Sequence, residues 1–177
     1  MRSVLLALAL AFPASAFAAG GEDFSPPRPT QTTTECAEGL VYDDTTKACV
    51  APKESNLSDD ALYQAVRELA WAGRFETARA AIAAMSDASE DRVLTYLGFI
   101  HRKEGDMDGA MAYYSAALSR NPDNLLARSY IGQGFVEMGQ IDRALAQLRE
   151  IRARGGRMTW ADVALDQAIR TGRGTSY

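Results

Sequence analysis

Histidine is almost missing from this chain: His101 is the only one among 177 residues, which excludes a His-rich metal site. Cysteine is nearly as scarce. Cys36 and Cys49 with one distant histidine fall short of a four-ligand zinc set, and their separation is far from the CxxC spacing of redox pairs. No GxxxxGK phosphate loop occurs. Charge of one sign is lacking too, since a formal net charge of −4 is too mild for a nucleic-acid binder. The apolar run Val4 to Phe12 is shorter than the roughly 20 residues a membrane helix requires. No catalytic residue, cofactor or metal is expected, and the chain reads as a non-enzyme.

What is present begins with MRSVLLALALAFPASAFA: Arg2, the apolar run, then Ala16-Phe17-Ala18. This is the three-part pattern of a secretory signal peptide, 1–18, with cleavage near Ala18. It implies a periplasmic or secreted protein, bacterial by its short Ala-rich form, with no transmembrane anchor once mature. Residues 19–35 are rich in Gly, Pro and Thr and read as a flexible linker. In an exported chain Cys36 and Cys49 are expected to form a disulfide closing a hairpin over 36–49. Leu40-Val41-Tyr42 and Lys47 to Val50 are its strands, with Asp43-Asp44 at the turn. A second linker follows at 50–57. Asp and Glu outnumber Lys and Arg between residues 19 and 60, whereas residues 61–177 are nearly balanced, so the acidity lies in the arm.

Residues 91–124 read DRVLTYLGFIHRKEGDMDGAMAYYSAALSRNPDN, and they carry the main signal. A sizeable residue at Leu94, then Leu97-Gly98, His101, Ala110, Tyr114, Ala117 and Pro122 stand at the offsets of a helix–turn–helix unit. Gly105 marks the turn between the two helices. The stretch resembles a tetratricopeptide repeat over its whole length, with Leu94 in place of the usual Trp and His101 in place of the usual Tyr. The physical logic agrees. A helix-interior Gly at 98 costs about 1 kcal/mol against Ala unless close helix approach demands it. Asn121-Pro122 ends the unit, since Pro cannot continue a helix. In this register His101 is a packing residue between helices, and Asp106 and Asp108 serve as cap and first-turn charge.

The pattern recurs on both sides. Ser58 is an N-cap candidate, Leu62, Val66 and Leu69 fall at helical spacing, and Gly73 matches Gly105 with a deletion placed at Ser86–Ser89. After Asn124, Ile131-Gly132, Phe135, Gly139, Ala144, Leu148 and Ile151 repeat the arrangement. Thr159, with Asp162 three residues on, opens a last helix whose apolar side includes Trp160, and residues 171–177 are expected to fray. The fold class implied by the resemblance is all-α: a right-handed α-solenoid over 58–172. Its repeats lie near 59–90, 91–124 and 125–158, with a solvating cap at 159–171.

The resemblance also implies a concave groove lined by the first helix of each pair, here by Tyr63, Arg67, Trp71, Phe99, Arg102 and Lys103. Tyr63, Tyr96, Leu126 and Tyr130 stand where the family's two-carboxylate clamp requires Lys, Asn and Arg, so that clamp is not expected. Aromatic and Arg side chains are the usual anchors of protein interfaces. The expected function is a scaffold whose groove binds another protein or peptide segment, with no nucleic acid and with the oligomeric state open. Internal packing of Trp71 and Phe99 is the competing reading. Arg149, Arg152 and Arg154 offer a second charged surface whose default partner is water. The alternative function places binding in the hairpin, whose Cys, Gly, Tyr-Asp, Lys, Cys order is similar to the end of small disulfide-rich carbohydrate-binding modules. That would make the chain a glycan- or peptidoglycan-associated envelope protein. A stapled hairpin that only resists proteolysis is the plainer reading of the same loop.

Overall fold

The computed structural model describes residues 26–174; the predicted signal peptide, the first part of the linker and residues 175–177 lie outside that range. Seven long helices make three pairs and a cap. They are α2 (Asp59–Trp71) with α3 (Phe75–Ile82), α4 (Asp91–Lys103) with α5 (Met107–Arg120), α6 (Leu125–Glu137) with α7 (Ile141–Ala153), and α8 (Trp160–Thr171). Before them stand one turn of helix, α1 (Gln31–Thr34), a two-stranded antiparallel hairpin of β1 (Val41–Asp43) and β2 (Ala48–Val50), and a 3-10 turn at Pro52–Glu54. No described helix is long and apolar enough to cross a membrane. The fold is the tetratricopeptide-type α-solenoid expected from the sequence.

Local chemistry sets the helix ends. Ser58, Asp106, Asn124 and Thr159 each accept a hydrogen bond from the backbone N–H of the third helical residue. Asp162 also accepts from Met158 N, so the expected capping box closes one residue early. The first helix of each pair ends the same way. Gly73, Gly105 and Gly139 adopt φ of 76°, 88° and 72°, conformations that side chains resist. The residue after each returns its N–H to the helix: Arg74 to Leu69 O, Asp106 to His101 O, and Gln140 to Phe135 O. The spacing of these glycines fixes the repeat.

Two other glycines set how closely helices approach. A Cβ on Gly98 would lie 2.5 Å from the Tyr114 ring, and one on Gly132 would lie 2.5 Å from Leu165. Ala78, Ala110, Ala117 and Ala144 are fully buried on the second helices, where their small size lets the pairs nest. A single apolar core runs from Val41 of the hairpin through all three pairs to Leu165 and Ala168 of α8.

The N-terminal module departs from its expected isolation. Cys36 and Cys49 are bonded, and the strands pair Val41 with Val50 and Tyr42 with Cys49. Val41 is fully buried in the common core. Residues 30–35, assigned above to a flexible linker, are tied to α2. Thr30 N and Oγ1 each donate to the Glu68 carboxylate at 2.7 Å, and Thr33 donates to it through N and Oγ1. Arg74 donates to Glu38 and to the carbonyls of Thr32, Cys36 and Ala37. Threonine composition read as linker because its use here is tertiary: hydroxyls and backbone N–H groups converge on one buried carboxylate. The hairpin therefore caps the first repeat.

Gly98→Ala is expected to lower stability. Its helix-propensity gain of about 1 kcal/mol is outweighed by overpacking against a buried ring, typically 1–3 kcal/mol and sometimes more. Thermal unfolding should fall by a few degrees, at about 2–4 °C per kcal/mol for a chain of this size. An unchanged or raised midpoint would contradict the packing described.

Candidate functional site

The six residues assigned to the groove all lie on the first helices, and the structure brings them together. It does so by packing them on one another and on neighbouring repeats. Tyr63, Arg67, Phe99 and Arg102 are buried, at 1, 4, 1 and 4 % exposure; Trp71 and Lys103 are half-buried. Trp71 stacks on Phe99 with ring centroids 5.5 Å apart, and its Nε1 donates to the Tyr130 hydroxyl at 3.3 Å. Trp160 of α8 approaches Trp71 at 6.1 Å. Phe99 also meets Tyr130 at 5.0 Å, and Tyr96 links Tyr63 to Tyr130 through edge contacts. The competing reading, internal packing of Trp71 and Phe99, thus describes much of their contact surface.

The cations are woven into the same seam. Arg67 Nε donates to the Tyr96 hydroxyl, and its Nη1 donates to Gln64 at 2.8 Å. Arg102, whose side chain is wholly buried, donates to Glu137 Oε1 at 2.5 Å and to Gln133 Oε1 at 3.3 Å. Its guanidinium lies 5.6 Å from the Phe99 ring and 5.7 Å from Tyr130. Lys103 Nζ lies 5.5 Å from Phe99. Burial, reinforced by the Arg102 charge and opposed by Glu137, pulls the Lys103 ammonium below its ordinary pKa. At the N-terminal end of the face, Arg92 spans the Tyr63 ring at 4.6 Å and pairs with Asp60 and Glu90. A cavity of about 200 Å³ opens there, lined by Tyr63, Arg92, Thr95, Asn124 and Leu126 among others.

Sequence reasoning did not foresee two members of the cluster. Trp160 was assigned to the apolar side of the cap, and Glu137 was not recognised as the partner of Arg102. The signal for Glu137 was present, since it stands one repeat plus one residue beyond Arg102. Trp160 had no such signal, because its approach to Trp71 depends on the curvature of the whole array.

The other candidates separate from this face. His101 Nδ1 sits 2.8 Å from Asp106 Oδ2 and its ring packs on Tyr113 at 4.9 Å. The Gly109 N–H foremost, then His101, holds the Asp106 carboxyl below its usual range. Arg152 binds Asp162 and Asp166, and Arg154 binds Asp123 and Glu150, so these arginines are occupied within the chain. A cleft of about 710 Å³ is lined by residues of α1, the hairpin and α2, among them Tyr42, Thr45 and Gln64, together with Asn56. Cys36 and Cys49 staple the hairpin beside it.

Burial raises the Tyr114 hydroxyl to a pKa of about 12, partly offset by Arg102, and raises Tyr130 further with help from Tyr96. A pKa raised by folding means stability present below the unfolded value of about 10 and lost as pH climbs through the folded value. Tyrosinate absorbance should therefore show Tyr114 and Tyr130 ionising only as the protein unfolds above pH 10. Titration of every tyrosine near pH 10, with circular dichroism unchanged, would contradict the buried seam.

A tetratricopeptide repeat family model matches residues 101–157, from the end of α4 to the loop before α8. No curated protein matches the chain, and no solved structure does. Tetratricopeptide repeats generally mediate protein–protein interaction and are generally non-catalytic. The family match, together with the three stacked helix pairs, supports a tetratricopeptide-repeat protein.

Proposed function

We propose that this chain is a non-enzymatic adaptor of the bacterial periplasm that captures a segment of a partner protein on the first-helix face of its repeats. One observation carries the reading. Trp71, Arg102 and Lys103 converge on the Phe99 ring, and rings with arginines are the side chains that anchor interfaces. Segment capture requires no covalent step. A partner meets the half-buried Trp71 and Lys103 first, with the buried residues behind them holding those two in place. A segment carrying acidic and apolar groups suits this lining. The export pattern of residues 1–18 and the Cys36–Cys49 disulfide support an oxidising compartment.

The buried state of Arg102 decides which probe is informative. Reversing its charge would strand Glu137 and place an unpaired carboxylate inside, at a cost of roughly 3–5 kcal/mol. A photo-crosslinker at Lys103 avoids that. It is expected to trap a discrete partner from periplasmic extract, while the same group at exposed Arg149 does not. Trp71→Ala should weaken capture by about tenfold or more, as hot-spot truncations do. Equal labelling from both positions would contradict the assignment.

A second reading rests on the hairpin cleft. Tyr42 lines that cleft together with Thr45, Asn56 and Gln64, whose hydroxyl and amide groups are chemistry suited to a glycan strand. Glycan or peptidoglycan pull-down abolished by Tyr42→Ala, with Lys103 crosslinks absent, would move the function to that cleft.

A further inference from the structure

The two most exposed large apolar side chains among the described residues share one groove. Met158 is 86 % exposed and Val163 44 %, and both line a groove of about 350 Å³ beside α8. We propose that this groove is a self-association face. Two copies of the chain meet there about a twofold axis, with their α8 helices antiparallel and Met158 of each copy seated in the groove of the other. The lining shares no residue with the first-helix cluster, so the inference goes beyond the adaptor reading and does not rest on it.

Local chemistry holds Met158 out. Its φ of 63° is a left-handed conformation that side chains resist and glycine adopts freely. The Met158 N–H donates to Asp162 Oδ2 at 3.0 Å, and Thr159 Oγ1 donates to Gly156 O at 2.6 Å. Arg152 pairs with Asp162 at 2.6 Å. The loop before α8 is thus fixed with its apolar side chain in water. In a lone copy the backbone conformation and the exposure are both unfavourable, and a glycine at 158 would relieve both. A second surface over the thioether turns the exposure into apolar burial. Methionine suits that use, since its unbranched, polarizable side chain fills irregular gaps.

Charge says what covers the groove. It carries both signs in equal number, Arg152 and Arg170 against Asp162 and Asp166. Arg152 bonds both carboxylates and Arg170 bonds Asp166, yet the Arg170 side chain stays 76 % exposed. A lipid surface or nucleic acid of one sign gains nothing overall from a balanced face. A second copy of the same face supplies the opposite sign after a twofold turn. Val163, Asp166 and Arg170 fall on one stripe of α8, with the carboxylates in its first half and Arg170 in its last turn. Antiparallel pairing therefore lays the basic end of one helix on the acidic half of the other, and their dipoles oppose favourably. Position 164 is midway between Met158 and Arg170. A twofold that sets Met158 against the other copy's Arg170 thus brings the two Val163 side chains close to the axis. The face is small, so the dimer should exchange with monomer, at a dissociation constant between about 1 μM and 1 mM.

Sedimentation velocity over that concentration range tests the proposal, on the purified protein and on Met158→Gly. A second measurement compares Val163→Cys with Met138→Cys in forming disulfide-linked dimers in air. Cys36 and Cys49 are bonded to each other, so each introduced thiol is the free one, and Met138 is an exposed position outside the groove. The expected result is a monomer–dimer equilibrium that Met158→Gly weakens by about tenfold or more. Its thermal midpoint in dilute solution should be unchanged or higher, because glycine relieves the left-handed backbone. Val163→Cys should link into dimers about tenfold faster than Met138→Cys or better. Monomer alone throughout the range, growth past dimer, unweakened association of Met158→Gly, or equal linking from both cysteines would each overturn the proposal. A lowered midpoint for Met158→Gly would assign the methionine to packing within its own copy and equally overturn it. Monomer that binds anionic vesicles through Met158 would give the face to lipid, with the same consequence.

Discussion

A seam of rings and guanidinium groups along the first helices holds the array in its shape. In an ordinary solenoid each repeat touches only its neighbours, and stability is close to a sum of repeat and interface contributions. Here Trp71 of the first pair reaches Tyr130 of the third and Trp160 of the cap. Those contacts skip repeats. Arg102 is the polar centre of the arrangement, buried against Phe99 and Tyr130 and paired with Glu137.

The two ends of the array are finished by different means. At the C-terminal end α8 covers Gly132 with Leu165 and supplies Trp160 to the seam. At the N-terminal end the disulfide hairpin and the Thr30–Thr34 turn cover the first pair through the Glu68 and Arg74 networks. Closing the Cys36–Cys49 loop contributes about 3 kcal/mol in the chain-entropy account. An array of only three pairs has little stability to spare, and both caps bury apolar surface that would otherwise face water.

The repeat itself was legible because its determinants are local. Gly73, Gly105 and Gly139 are backbone requirements, Ser58, Asn124 and Thr159 are capping requirements, and Gly105, Asn124 and Gly139 fall within the matched residues 101–157. That Tyr63, Arg67, Trp71, Phe99 and Arg102 come from the first helices was also legible, since the repeat register assigns them there. Their burial was not. Exposure of Tyr63, Arg67 and Phe99 depends on how far successive pairs rotate, and that sum of small rotations leaves no local mark. The docking of residues 30–35 was hidden for a related reason. Glu68 and Arg74 lie more than thirty residues from the groups they bind, and a Thr-rich stretch has the same composition whether it is solvated or tied down.

Native-state hydrogen exchange of Trp71→Ala tests the central claim most directly. If the seam ties the first repeat to the cap, removing one indole should speed exchange in the first turns of α8 and in α6 around Tyr130, together with the end of α2. Loss of protection confined to α2 and α3, with α6 and α8 unchanged, would contradict the account and reduce the array to a sum of nearest-neighbour contacts.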